Sequence, residues 1–494
     1  MDALISEIVE HQFSDNEFSK LQVNFSKINH ELVKQKKCIC AEFNHELWVI
    51  FFRIPELSDI TWLTYEIPKN NFKIGTYFNE IRVSELLNFS QTSKQSSDER
   101  SNNEVIDLVS ETILYAYKSN ASDIHFENDT NQLTIKNRID GVLIQYKKIN
   151  NKNITEQIIS RLKVLADLDI SERRVPQDGR LSVHIDQQDI DLRISIMPGL
   201  HGEDAVLRIL DKKSLTKSQS KLSLEILGFD AESSKKIRKL TQQPYGMVLV
   251  TGPTGSGKTT TLYALLQEQH NDQQKLITIE DPVEYQMSGT LQIPVNERKG
   301  LTFAKGLRSI LRHDPDTILI GEIRDKETAE IAVQAALTGH LVYSSVHANH
   351  ALDVIGRFKH MEIDLFGFLN SLNGIIAQRL IRLNCEKCSK LVEINDTILM
   401  LSGLSLDELK KYNLSEGIGC EHCQWTGYRG RKAIAEILVM NDDIKEDLLK
   451  GISLSQIKQK LINEKMVFLR KQALAVVASG LSTFQEINRV TFVE

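Results

Sequence analysis

The 494-residue chain lacks an excess of basic charge: 60 Lys and Arg stand against 66 Asp and Glu, a formal −6. Neutralising a phosphate backbone needs such an excess, so the composition gives no support to a dedicated nucleic-acid binder, although a local basic patch stays open. Long apolar runs are missing as well. Leu47–Phe52 and Met247–Val250 fall far short of the ~20 residues of a spanning helix. The start, MDALISEIVEHQ, has no basic n-region and no small-residue cleavage site, which predicts no signal peptide and a cytosolic protein with reduced thiols. Cysteines number only six, too few for a disulfide framework in a chain this long. Apolar residues at 41% and charged residues at 26% are ordinary for a soluble globular protein.

At about 150 residues per domain the length suggests roughly three domains, none needing a staple. Two polar stretches supply the cuts. Gln91–Glu104 (QTSKQSSDERSNNE) and Lys212–Ser223 (KKSLTKSQSKLS) cannot bury enough surface to offset their ordering entropy and read as linkers. The expected organisation is a small α+β domain at 1–90, a linker at 91–103, a middle domain at 104–212, a linker at 213–223 and a third domain at 224–494. The middle segment opens on a helical pattern, Val105, Leu108, Val109, Ile113, Leu114, and continues with period-two stretches such as Leu133-Thr-Ile-Lys136 and Asp189–Ile196. The third alternates apolar strands with helical stretches, the rhythm of a mainly parallel α/β sheet.

The third segment carries Gly252-Pro253-Thr254-Gly255-Ser256-Gly257-Lys258-Thr259, followed by Thr260. It fits GxxxxGK[ST], with the strand MVLV before it and the helix-like TTLYALLQEQ after it. The glycines let the backbone wrap a phosphate with N–H groups inward, and the helix start adds its positive end. Lys258 would reach the β/γ-phosphates of ATP and Thr259 would ligate Mg²⁺. Two acidic strand ends follow. Glu280 and Glu284 lie in Ile279-Glu-Asp-Pro-Val-Glu284; after the later strand Gly321 takes the usual Asp position, and Glu322 is the first carboxylate. Glu322 is the expected water-polarising carboxylate. Which of Glu280 or Glu284 assists it, through Mg²⁺ or water, stays open. His340 and His347 bracket the next strand, where a pair can sense or donate to a γ-phosphate; ordinary structural histidines are the other reading. Arginines are needed against developing phosphate charge. The candidates are Arg308 and Arg312, four apart and so on one helical face, together with Arg324 and, in the middle segment, Arg193 and Arg208.

Four of the six cysteines form two pairs, Cys385-x-x-Cys388 and Cys420-x-x-Cys423. Four thiolates are a closed structural Zn²⁺ set, which holds a lobe (about 384–431) rather than doing chemistry. The spacer Ser389–Gly419 is longer than the usual ribbon spacing and contains a helix-like Asp407–Tyr412 stretch. His422 lies between two ligands and is not expected to be one. Cys38 and Cys40 read as packing residues of a strand.

Together these motifs resemble the type II/IV secretion NTPase superfamily, and within it the type II secretion assembly ATPases, over about 104–494. The resemblance rests on Ala121-Ser-Asp-Ile-His-Phe-Glu127, Arg138-Ile-Asp-Gly-Val142, Val175-Pro-Gln-Asp-Gly-Arg180 and the loop and acidic boxes above. It is carried further by Leu301-Thr-Phe-Ala304, Leu307–Asp316, Ala377-Gln-Arg-Leu380 and Gly427-Tyr-Arg-Gly-Arg431. Leu21-Gln-Val-Asn-Phe-Ser-Lys27 is similar to the family's first domain. The resemblance implies a RecA-like P-loop NTPase domain with a zinc lobe and C-terminal helices at about 440–494, a PAS-like middle domain, and an N-terminal domain that docks on a membrane-embedded partner. It also implies a homohexamer with ATP between the middle and C-terminal domains and Arg193 and Arg208 reaching phosphate. Arg308, Arg312 and Arg324 would fill further arginine positions. The ring would sit at the inner membrane of a Gram-negative-type bacterium, on a platform protein and a bitopic docking protein, and drive pseudopilus assembly. The type IV pilus extension ATPases share these motifs, and a weakly hydrolysing, nucleotide-gated scaffold is a further alternative. Pilus retraction ATPases lack the cysteine lobe. Three departures bear on subunit contacts: Asp204 replaces a basic residue, the histidine box reads Tyr343-Ser-Ser-Val-His-Ala-Asn349, and Pro294-Val-Asn-Glu297 stands for Thr-Gln-Val-Asn.

Overall fold

A computed structural model describes residues 97–185, 188–210, 222–269 and 273–492, together with parts of 9–77. The chain divides into two compact units, Met1–Leu108 and Val109–Glu494. Most of the linker expected at 213–223, and Asn24–Lys27 of the amino-terminal motif, lie outside the described residues.

The first unit holds a five-stranded sheet of β1 (His11–Gln12), β2 (Gln22–Val23), β3 (Cys38–Phe43), β4 (Glu46–Phe51) and β5 (Phe72–Thr76), ordered β1-β5-β4-β3-β2. Cys38 and Cys40 are buried among Ile39, Val49, Ile50 and Phe51, so they pack as expected. The helix Ser97–Lys118 begins inside the stretch read as a linker. A helix satisfies its backbone through its own i→i−4 bonds, so the polar Ser97–Asn103 turns join it without an apolar face of their own.

In the second unit, β6 (Ala121–Asn128), β7 (Leu133–Ile139), β8 (Val142–Ile149), β9 (Gln177–Ile185), β10 (Gln188–Gly199) and β11 (Gly202–Leu210) form an antiparallel sheet ordered β8-β7-β6-β11-β10-β9. In β10 the side chains of Leu192, Ile194 and Ile196 are buried while Arg193 and Ser195 turn to the other face, the period-two pattern of a half-covered strand. The helix Lys152–Leu165, capped by Asn151, covers the buried face with Ile158, Ile159 and Leu162.

The third region is built on a seven-stranded sheet. Its strands β12 (Gly246–Thr251), β13 (Leu276–Glu280), β14 (Leu291–Pro294), β15 (Thr317–Ile320), β16 (Leu341–Val346), β17 (Leu372–Asn384) and β20 (Tyr428–Val439) run in the order β14-β13-β15-β16-β12-β17-β20. All neighbours are parallel except β17 and β20. Strands β12, β13, β15 and β16 are buried along their whole length, as helices on both faces demand. One core, around Leu249, Ile318, Val342 and Phe358, fills one side of the sheet; a second, around Val248, Val250, Tyr263 and Leu266, fills the other. Between β17 and β20 lies the cysteine lobe, with the short pair β18 (Ser389–Leu391) and β19 (Ser415–Gly417). The spacer loops out through Asp396–Ser402 and a single turn, Leu406–Leu409, shorter than the expected Asp407–Tyr412 helix. Four short helices between Asp442 and Val490 close the chain.

Candidate functional site

Parallel strands in one sheet bring their carboxyl ends to one edge, and ligands bind there. Strand β12 feeds the loop Gly252–Gly257; β13 ends at Glu280; Glu322 follows β15; His347 follows β16. Residues spread over nearly a hundred positions thus meet at one pole.

The loop is glycine-built for two distinct reasons. Gly252, Gly255 and Gly257 all have positive φ. At Gly252 a Cβ would also lie 2.6 Å from the Gln378 carbonyl oxygen and 2.6 Å from Ser256 Oγ. Gln378 supports the loop from β17, its Nε2 donating to the Ser256 carbonyl at 2.6 Å. The helix Lys258–Gln269 starts directly after, so its unpaired N–H groups point at the cradle. Lys258 Nζ donates to the Gly252 and Pro253 carbonyls at 2.9 and 3.2 Å. Burial lowers the Lys258 pKa, Glu322 pulling against it. Thr259 and Thr260 are half-buried on the first turn. These donors fit a nucleotide phosphate chain with its Mg²⁺: inward N–H groups, one amine, and a hydroxyl on the helix start.

Glu322 lies between two basic side chains. Its Oε1 accepts from Arg324 Nη2, and His347 Nε2 lies 3.3 Å from Oε2. Burial alone would raise its pKa, but Arg324 and then His347 outweigh it and hold the carboxyl below its ordinary value. Glu322 is therefore an ionised acceptor within electrostatic reach of Lys258. Glu280 sits otherwise. It is 3% exposed, and both oxygens are occupied from within: Tyr263 OH at 2.6 Å on one, Thr278 Oγ1 at 2.6 Å on the other. Glu280 thus pins the P-loop helix to β13. Glu284 faces solvent but is walled by protein. That enclosure, then the charge of Glu280, raises its pKa, while Arg208 and Arg193 pull it down.

Two of the sequence candidates are displaced. His340 is at the opposite end of β16 from His347, the six-residue strand and so roughly 23 Å of extended chain away. Its Nδ1 meets the Ala335 carbonyl at 2.9 Å, so it closes a turn and does not join Glu322. Chain order alone puts His340 before the strand and His347 after it; the contact of His347 with Glu322 is what the fold adds. Arg308 and Arg312 do not share a helix face either: the helix Phe303–Ile310 ends first, and Arg312 folds back on the Arg308 carbonyl at 2.8 Å. Arg308 pairs with Glu327 at 2.6 Å.

Arg193 and Arg208 stand directly opposite one another on β10 and β11. They line a cleft of about 810 Å³ with Asp281, Asn296 and Arg298 of the α/β region. Asp281, whose charge acts on both Arg324 and Arg193, is a residue the sequence reading passed over; its place beside Glu280 was the available signal. Asp204, the departure from a basic residue, accepts from the Asn128 backbone N–H at 2.7 Å and so ties the start of β11 to the end of β6.

The cysteine lobe offers a second candidate centre. The four Sγ atoms lie within 4.8 Å of one another, with pairs at 3.9, 3.8 and 3.8 Å. A tetrahedron with Zn–S of about 2.3 Å has edges of about 3.8 Å, so the thiols fit zinc. Three of them are buried and none is in a disulfide. His422 Nδ1 is 3.6 Å from Cys385 Sγ, outside the sulfur set.

A family model described as "Type II/IV secretion system protein" matches residues 98–489. The chain belongs to that family. It is 43% identical to the type II secretion system protein E of Dickeya dadantii over 78% of this chain and 76% of that one. It is 42% identical to the type IV pilus assembly ATPase PilB of Myxococcus xanthus over 83% of this chain and 71% of that one. Among solved structures, the Legionella pneumophila ATPase DotB superposes with a TM-score of 0.56 at 20% identity, covering 78% of this chain and 95% of DotB, a likeness of fold. Among the described residues no helix is long and apolar enough to cross a membrane.

Proposed function

We propose that this family member is the ATP-hydrolysing motor subunit of a type II secretion system, coupling turnover to pseudopilus assembly and protein export. The observation that carries the ATPase reading is the meeting, at one sheet edge, of the phosphate loop, Lys258 and an ionised Glu322 oriented by Arg324 and His347. Lys258 and the loop N–H groups hold the phosphates; Thr259 and Glu284 hold Mg²⁺, which would neutralise phosphate charge. Glu322 accepts the proton of the attacking water, and Arg193 and Arg208 face the phosphates from the middle sheet. Arg308, Arg312 and Arg324 fill further arginine positions of the site, in a homohexamer of RecA-like domains with PAS-like middle domains. Cys385, Cys388, Cys420 and Cys423 hold a structural Zn²⁺. The first unit docks on inner-membrane platform and bitopic proteins, keeping the chain cytoplasmic and peripheral. Secretion is favoured over pilus extension by Leu21–Lys27; the relatives at 43% and 42% identity weigh alike.

Steady-state phosphate release by the full chain tests the catalytic part, with Lys258→Ala expected to lower it by at least about 100-fold. Capture of inner-membrane proteins on the full chain tests the rest: recovery of a pilus platform without secretion components would reassign the motor.

A further inference from the structure

The middle sheet holds more positive charge than that reading uses. Arg208 opposes Arg193, and Arg193 in turn opposes Arg180, on three adjacent antiparallel strands. Directly opposed side chains on one face have Cβ atoms about 4.5–5.5 Å apart, where like charges repel. Asp123 takes Arg208 Nε at 2.9 Å, and Arg193 feels the charges of Asp281 and Glu284 without a direct ion pair to either. Among the described residues neither Arg193 nor Arg180 has an ion-pair partner, and Arg193 Nε is buried without a hydrogen bond. All three arginines line the same cleft, facing the acidic strand end at Asp281. A row of three guanidiniums with one direct ion pair among them, around a buried donor without a hydrogen bond, is arranged for an anion that the protein does not itself supply.

We propose that Arg180 binds the phosphate chain of the nucleotide beside Arg193 and Arg208, so that three guanidiniums meet the anion rather than two. This rests on the nucleotide reading of the site. Arg180 is exposed at the sheet edge, so its replacement leaves the core intact. Repulsion in the free protein and attraction in the bound one give the residue a double signature.

The experiment compares the full-length wild type with Arg180→Gln, Arg180→Lys and Arg193→Gln, by ATP-dependent phosphate release and by thermal unfolding with and without ADP. Arg180→Gln is expected to raise KM for ATP about tenfold, the scale of one lost charge-assisted hydrogen bond. It should shrink the stabilisation by ADP and leave the nucleotide-free melting temperature equal or higher; Arg180→Lys should recover most of the KM. A KM and an ADP stabilisation within twofold of wild type, while Arg193→Gln is impaired, would overturn the inference alone. So would equal damage in the Gln and Lys variants with a lowered nucleotide-free melting temperature, which marks a structural role. Absence of any ADP stabilisation in the wild type would overturn the nucleotide reading and this inference with it.

Discussion

The nucleotide pole and the cysteine lobe are two candidate ligand centres of one chain, built by opposite means. The pole is assembled from the ends of four strands, and each of its groups is held by a fully buried sheet that would stand without ligand. The lobe is local. Its ligands come from two CxxC turns, its strands β18 and β19 are three residues each, and Leu391, Ile418 and Trp425 are left exposed. Its own buried cluster consists of the cysteines themselves. A sheet-built site uses packing to place chemistry; a lobe with so small a core uses chemistry in place of packing.

The sharpest way to separate the two is to remove one function at each. Glu322→Gln is isosteric and keeps the sheet intact, so phosphate release should fall by about 10³-fold while ADP still raises the melting temperature. A loss of ADP stabilisation as well would mean that Glu322 holds the fold and not the water. At the lobe, Cys388→Ser or a strong chelator should remove one zinc per chain. Amide exchange should then rise across residues 385–431 and stay protected in β12, β15 and β16. Zinc analysis showing no metal in the purified wild type, with four free thiols, would break the comparison outright.

A smaller effect is expected at the hinge of the loop with its supporting strand. Gly252→Ala places a Cβ against the Gln378 carbonyl at a positive φ, and should cost about 2–4 kcal/mol in denaturant unfolding. A neutral result would show that the loop relaxes freely from β17. The smallest effect concerns pH. His350 Nδ1 lies 3.5 Å from Glu436, which is 1% exposed, and that carboxylate raises the imidazole pKa. The stabilisation is fully present below the ordinary histidine range and disappears as pH climbs through the raised value. Melting temperature should therefore fall modestly between pH 6 and pH 8, and His350→Asn should flatten that slope. A slope unchanged in the variant would assign it to other groups.

Much of the site was legible because its chemistry is written locally. The loop needs three glycines at fixed spacing, and zinc needs two CxxC turns, so both were visible without a fold. The histidines show where legibility stopped. His340 precedes β16 and His347 follows it, so in a parallel sheet chain order already sends only His347 to the ligand edge, but its contact with Glu322 could not be read from sequence. Glu280 and Glu322 both stand at strand ends, but the hydroxyls of Tyr263 and Thr278 make one a brace, while the other meets Arg324 and His347. Arg180 lies within Val175–Arg180, and nothing in that motif tells that β9 aligns it with Arg193.

By itself, then, the sequence determined the alternating α/β rhythm, the phosphate loop and the two cysteine pairs of the candidate metal centre, because backbone conformation and ligand spacing act over a few residues. Only the tertiary structure decided which carboxylate braces the helix, which one meets Arg324 and His347, and how many arginines share one face. Those choices depend on strand order, register and burial, which bring together positions as far apart as Asp123 and Asp281 that no local pattern connects.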